Sequence, residues 1–239
     1  MSRFLLLLLL ALACSAQETW ELFYPAGSKD EETKLVKSLQ PLLPKGVKLS
    51  LQPLPEKCRS ASAAQSHAHA IDAGVHTLPC LVLRDEKGAY AALPLQGLTA
   101  ESITHAQQQA AAAPDREQLT RHRRLTAQLY YLRALWTLAQ SPAEQDTVIA
   151  AYREALQRPT ADETARQHIG FYCLYPALMQ QYAAEYNGGH SPRTENKLLE
   201  AIAAIEAVRD TNPETRLGRL AYDERERLRA ARLKSRQYE

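Results

Sequence analysis

Four cysteines, at positions 14, 58, 80 and 173, and three closely spaced histidines, His67, His69 and His76, are the side chains whose types and spacing bear most directly on chemistry. A thiol can exchange disulfides, close a structural bridge or carry a lipid, and its neighbours and compartment decide which of these is open to it. No Cys-x-x-Cys pair occurs in the chain. His69 and His76 stand seven residues apart and can share a helical face, but Gly74 intervenes. No acidic or thiol ligand stands at a spacing that would complete a metal site, so the histidines read as solvated helix residues and no metal is expected. The chain has no Gly-rich phosphate loop and no Gly-x-Ser-x-Gly elbow. A nucleotide enzyme or serine hydrolase is therefore not indicated, and no cofactor is expected.

Cys14 belongs to a different context. Residues 1–16 hold one basic residue, Arg3, then Phe4, six leucines and a run of small residues. This pattern predicts a secretory signal peptide, its apolar run being too short for a membrane span. Cys14-Ser15-Ala16 suits ordinary cleavage before Gln17, whereas Ala11-Leu12-Ala13-Cys14 is similar to a lipoprotein signal that would acylate Cys14. Either way the protein is expected to be exported to the periplasm or cell envelope, with a lipid at Cys14 as its only membrane attachment. Without the leader the chain carries 28 basic and 27 acidic residues. Such a balance does not suggest nucleic acid or an anionic surface as partner.

The elements that would position these residues change character along the chain. Proline, glycine and β-branched residues crowd the front, while alanine, leucine, arginine and tyrosine fill the back. In the front part, about residues 17–113, Trp20-Glu21-Leu22-Phe23-Tyr24 reads as a strand. Ser28 and Glu31 form a capping box before Leu35, Val36, Leu39 and Leu42, which recur at helical spacing until Pro41 ends or kinks the helix near Ser38. Val47 to Leu51 alternates as a second strand. Residues 56–72 are alanine-rich and expected to be helical, stopping at Gly74. Leu81-Val82-Leu83 and Tyr90 to Leu93 make two more strands around the turn Asp85-Glu86-Lys87-Gly88, and Gly97 leads to a helix starting near Thr99.

The order strand, helix, strand, helix, strand, strand, helix, with Leu78-Pro79 immediately before the third strand, resembles the thioredoxin family. That resemblance implies a cis peptide bond at Pro79 and a substrate groove formed by Leu78, Pro79, Pro25 and Ser28. Family oxidoreductases carry Cys-x-x-Cys-Lys where the first strand meets the first helix, because a helix N-terminus stabilises a thiolate. The corresponding stretch here is Pro25-Ala26-Gly27-Ser28-Lys29, and a serine hydroxyl does not undergo thiol-disulfide exchange. The resemblance places Cys80, just after Pro79, at the same end of the sheet as that stretch, with Cys58 at the start of the second helix. The two can be a structural bridge or a pair of unpaired thiols; the sharper reading makes them a relocated redox pair. Cys173, in the apolar run Phe171 to Tyr175, reads as a buried small hydrophobe.

Residues 114–239 are read as all-helical. Helix starts recur at Asp115, at Ser141-Pro142 with Glu144, at Thr160 with Glu163, at Ser191-Pro192 and at Asn212-Pro213, the last three prolines each at the first helical position. Apolar stripes run through Leu125, Leu129, Leu132 and Trp136, through Val148, Tyr152, Ala155 and Leu156, and through Leu198, Ile202, Ile205 and Val208. The third helix, about residues 161–186, should kink at Pro176 and close at Asn187-Gly188-Gly189. A helical bundle or stacked helical hairpins would bury these stripes; a tetratricopeptide-like repeat lacks a clean period of about 34 residues. Residues 216–236, with eight basic and three acidic side chains, read as a solvated helix.

The sequence thus predicts an exported protein with an α/β thioredoxin-like domain followed by an all-α domain. Its expected role is a non-catalytic binding or assembly module whose helical part meets an unidentified protein partner. The alternatives are a thiol-disulfide oxidoreductase or isomerase using Cys58 and Cys80, and a thiol-independent holdase using the groove beside Pro79.

Overall fold

The computed structural model describes residues 19–27, 29–159, 161–186 and 191–236. The leader with Cys14, the groove residue Ser28, Thr160 and the Asn187-Gly188-Gly189 stop lie outside the described residues. The chain divides into two compact units, Met1–Gln128 and Leu129–Glu239.

The first unit is a mixed four-stranded sheet flanked by helices. Its elements are β1 (Thr19–Pro25), α1 (Lys29–Leu39) running into a 3-10 turn (Gln40–Leu42), β2 (Lys48–Leu54), α2 (Ala61–Ala73), β3 (Cys80–Asp85), β4 (Gly88–Pro94) and α3 (Ala100–Ala112). The strand order is β2-β1-β3-β4. β1 runs parallel to β2, with Leu22 beside Leu51, and antiparallel to β3, with Leu22 beside Leu81. β3 and β4 form an antiparallel hairpin with a register shift between Leu83 and Arg84.

Alternation along β1 and β3 sorts their side chains onto two faces. Trp20, Leu22, Tyr24, Leu81 and Leu83 pack with Leu39, Ile103 and Ala106, which places α1 and α3 on one side. Phe23, Cys80, Val82 and Ala89 pack with Ala70 and Ala73 of α2 on the other. Trp20, Leu22, Leu81, Val82 and Leu83 are fully buried, each contributing about 1.5–3 kcal/mol by leaving water. α1 gives way at Pro41 as expected, through the 3-10 turn that carries this proline at its start. α2 begins at Ala61 rather than near residue 56, because Ser60 is its N-cap and accepts from the Ala63 N–H. Cys58 therefore precedes the helix instead of opening it. Gly74 ends α2 at φ +76°, a left-handed conformation that glycine adopts without a Cβ clash.

α4 (Arg116–Leu138) spans the division between the units. Its first half belongs to the first unit through two arginines. Arg116 makes a two-pronged ion pair with Asp85, donates to the Gly88 carbonyl at 3.0 Å and stacks over Tyr90 at 5.0 Å. Arg123 donates to the Ala89 carbonyl at 2.6 Å. Both therefore hold the β3–β4 hairpin.

The second unit contains the rest of α4 and α5 (Pro142–Gln157), α6 (Glu163–Ile169), a π-helical turn (Gly170–Leu174), α7 (Tyr175–Tyr186), α8 (Pro192–Thr211) and α9 (Arg216–Arg236). The anticipated stripes form one core of Leu132, Val148, Tyr152, Ala155, Leu198, Ile202, Ile205 and Val208, which Ile169, Cys173, Leu178 and Ala221 complete. Ser141 and Glu144 make the capping box of α5, and Ser191 caps α8. α6 is capped by Asp162. Pro176 produces a wide turn rather than a bare kink: Tyr175 N–H bonds to the Gly170 carbonyl, five residues back, just where the proline has no N–H to continue the ordinary ladder. α9 starts at Arg216, not at Pro213. Asn212 instead ends α8 in extended conformation, and the Thr215 hydroxyl accepts from the Gly218 N–H.

Gln167, buried at 3 %, joins α6 to that connection. Its amide donates to the Val208 and Asn212 carbonyls at 3.2 and 2.7 Å and its carbonyl accepts from Thr215 at 2.9 Å. Replacing it with alanine removes three hydrogen bonds at the end of α8, those to the Val208 and Asn212 carbonyls and the one from Thr215. Gln167→Ala should lower unfolding free energy by about 2 kcal/mol, read from the urea midpoint at constant m-value; a loss below about 0.5 kcal/mol would show that this amide does not clamp the α8–α9 turn.

Candidate functional site

One end of the sheet gathers most of the residues assigned to a groove. Phe23 faces Cys80 across the antiparallel β1–β3 pair, so the chain beyond Phe23 runs past Pro79 and Leu78. Pro25 pairs with Leu54 at the end of β2, and Pro94 with Cys80 at the end of β4. Two backbone bonds tie the loops together there: Ala26 N–H to the Leu54 carbonyl at 2.9 Å and Leu95 N–H to the Pro79 carbonyl at 3.1 Å. Leu78-Pro79 is a cis peptide. Pro25, Pro94 and Leu78 are exposed and Pro79 is half-buried. Each strand thus meets this end at a proline or within a residue or two of one, and proline offers no N–H. The result is an exposed apolar rim poor in backbone donors. The sequence held the signal in Pro25, Pro53, Pro79 and Pro94, but only strand register puts these prolines side by side.

The thiols near this end differ in environment. Cys58 is half-buried in the loop between β2 and α2, whereas Cys80 is 1 % exposed among Phe23, Ala70, Ala73 and Val82; both are free thiols, as is the buried Cys173. Burial pushes the Cys80 thiol up to about 11 and the Cys173 thiol up to about 12. Desolvation without a compensating positive charge keeps Cys80 protonated, the opposite of what activates a nucleophilic cysteine.

A charged network on the α2 face went unread in the sequence. Glu21, at 7 % exposure in the central strand, accepts from His69 Nε2 at 3.0 Å and from Arg84 Nε at 3.2 Å. Asp72 stands 4.0 Å from the same guanidinium. His69, taken from sequence for a solvated residue, is two-thirds buried and stacks at 5.3 Å on Phe23. His67 contacts the Pro55 carbonyl at 2.9 Å, and His76 is exposed. Burial pushes the Glu21 carboxyl up, but His69 and Arg84, by hydrogen bond and charge, outweigh it and leave the group below the usual carboxylate range. Asp85 is likewise held low, chiefly by its hydrogen bonds from Arg116. The only sequence clue was a glutamate inside an otherwise buried apolar strand.

The sheet order, with β1–β2 parallel and the other pairs antiparallel, is compatible with a thioredoxin-like topology. Comparison of the chain with protein-family models, with curated proteins and with solved structures finds no match. Among the described residues, no group of three or more His, Cys, Asp and Glu side chains is placed to hold a metal ion, and no helix is long and apolar enough to cross a membrane.

Two outcomes follow from these environments. Because the folded Glu21 and Asp85 carboxyls lie below their unfolded values of about 4.3 and 3.9, their stabilisation is complete above those values and is lost as pH falls through the folded ones. The urea midpoint should therefore drop on acidification below about pH 5, and Glu21→Gln should both lower the midpoint at pH 7 and flatten that drop; an unchanged pH profile in the variant would remove Glu21 from the explanation. In the native protein iodoacetamide should label Cys58 well ahead of Cys80 and Cys173, with all three equivalent in denaturant. Rapid native labelling of Cys80, mapped by peptide mass, would contradict the buried thiol.

Proposed function

We propose that this is an exported, non-catalytic binding or assembly module in which a thioredoxin-like domain presents a peptide-binding rim and the helical unit meets a protein partner. The observation that carries this reading is the exposed Leu78 beside the cis Pro79 and exposed Pro25 and Pro94, next to a Cys80 whose thiol is buried and held protonated. An apolar rim short of backbone donors suits contact with extended apolar chain, and contact of that kind needs no thiolate. Export rests on the leader-like first sixteen residues, and Cys14 is the proposed anchor if the leader is lipidated.

The oxidoreductase alternative requires Cys58 and Cys80 to approach one another and at least one of them to ionise near neutral pH. The two readings separate in one experiment on the full chain. Reduced, carboxymethylated α-lactalbumin, which stays unfolded, is titrated against the wild type, Cys58→Ser and Leu78→Glu, and insulin disulfide reduction is followed in parallel. The binding module predicts equal binding by the wild type and Cys58→Ser, at least about tenfold weaker binding by Leu78→Glu, equivalent to about 1.4 kcal/mol, and insulin reduction at the background rate. Undiminished binding by Leu78→Glu would sink the rim; insulin reduction that disappears in Cys80→Ser would establish the redox reading instead.

A further inference from the structure

A cavity of about 300 Å³ lies in the second unit beside the α8–α9 connection, lined by Arg209, Pro213, Gly218, Arg219, Tyr222 and Asp223. Its size is at the small end of the range for ligand pockets, roughly 300–1,000 Å³. The two chain segments bounding it are pressed together at Gly218, where a Cβ would stand 2.2 Å from the Asn212 carbonyl oxygen and 2.7 Å from Pro213 Cα. Only a glycine allows this close approach, and beside it the cavity is bounded by Pro213, Tyr222 and the charged residues Arg209, Arg219 and Asp223.

The charged groups around it are unequally committed. Arg209 is engaged by the neighbouring Asp210 carboxylate. Arg225 covers the Tyr222 ring at 4.9 Å from its centroid. Arg219 and Asp223 are exposed and stand one helical turn apart on α9, a spacing at which opposite charges ordinarily pair. The Arg219 backbone N–H donates to the Thr215 carbonyl at 3.1 Å, but among the described residues neither the Arg219 nor the Asp223 side chain takes part in an ion pair or hydrogen bond, and the Tyr222 hydroxyl has no hydrogen bond. Side chains carrying an unpaired cation, an unpaired anion and an unpaired hydroxyl therefore line the same small, largely apolar space.

This combination selects by charge pattern. A simple anion would meet Asp223, and a simple cation would meet Arg219 and Arg209. A ligand carrying both charges on one carbon atom satisfies both sides, since the two groups stand about 5–6 Å apart at Cβ, as i and i+4 positions do. We propose that the cavity binds a free α-amino acid as its zwitterion, with its carboxylate on Arg219, its ammonium on Asp223 and its side chain against Tyr222 and Pro213. The site lies wholly in the helical unit and is independent of the rim at Pro79.

Calorimetric titration of the full chain with alanine, leucine and phenylalanine tests this, with N-acetylphenylalanine and phenylalaninamide as singly charged controls. At least one free amino acid should bind with Kd below about 1 mM, and each blocked form should bind at least about tenfold more weakly. Arg219→Ala and Asp223→Ala, both at exposed positions, should each lose at least about tenfold in affinity while keeping the wild-type thermal midpoint. No binding by any of the three amino acids, equal binding of the blocked forms, or full affinity in both folded variants would each overturn the assignment.

Discussion

A carboxylate in the middle of a buried strand is costly unless charge and hydrogen bonds surround it, and Glu21 places that condition at the centre of the first unit. It sits between Trp20 and Leu22, both fully buried, on the face that α2 covers. His69 meets it from α2 and Arg84 from β3, so the helix must dock with that histidine over β1, and β3 must deliver that arginine to the same face. Asp72 lies beside Arg84 in turn, and Arg123 of α4 sits close enough for both charges to act on it. The α2 face is thus an alternating chain of acids and bases, whereas the α1 and α3 face is closed by apolar packing and one hydrogen bond, from the Tyr24 hydroxyl to the Glu32 carboxylate of α1 at 2.6 Å. Area burial is tolerant of small slips; a buried charge with two assigned partners is not, and it fixes the docking of α2 more narrowly than the alanines of that helix can.

The same face accounts for the behaviour of Cys80. Directly beside the cis proline, it belongs to a cluster of Phe23, alanines and Val82, while Arg84 and His69 are both engaged by Glu21. Burial then raises the thiol instead of lowering it. Position near a sheet end does not by itself activate a cysteine; the local field does, and here that field serves the glutamate.

In the helical unit the corresponding role falls to neutral groups. Gln167 closes the carbonyls at the end of α8, Tyr152 donates from the core to the Leu132 carbonyl at 2.8 Å, and Tyr175 bonds Glu224. Each is a polar tip on a buried body, joining helices that the apolar stripes alone would allow to slide. The π turn before Pro176 places Cys173 and Leu174 in the core while leaving Tyr172 exposed.

Local physics was legible in the sequence. Alternation marked the strands, helical spacing marked the stripes, and Thr99, Ser141 and Ser191 marked helix starts, so the mixed sheet followed by helices could be read from the sequence; the cis bond at Leu78-Pro79 was implied by the resemblance to the thioredoxin family. Boundaries failed where a neighbouring polar residue took over: Ser60 moved the start of α2, and Thr215 opened α9 where Pro213 had been expected to. Partnership across the fold was not legible at all. That His69 belongs to Glu21, 48 residues away, that Arg116 and Arg123 grip the β3–β4 hairpin, and that four prolines assemble one rim all depend on strand register and helix docking. Periodicity reports which side of an element is apolar, because that is a property of consecutive residues; which charges meet is a property of distances between segments, and only the folded chain sets those.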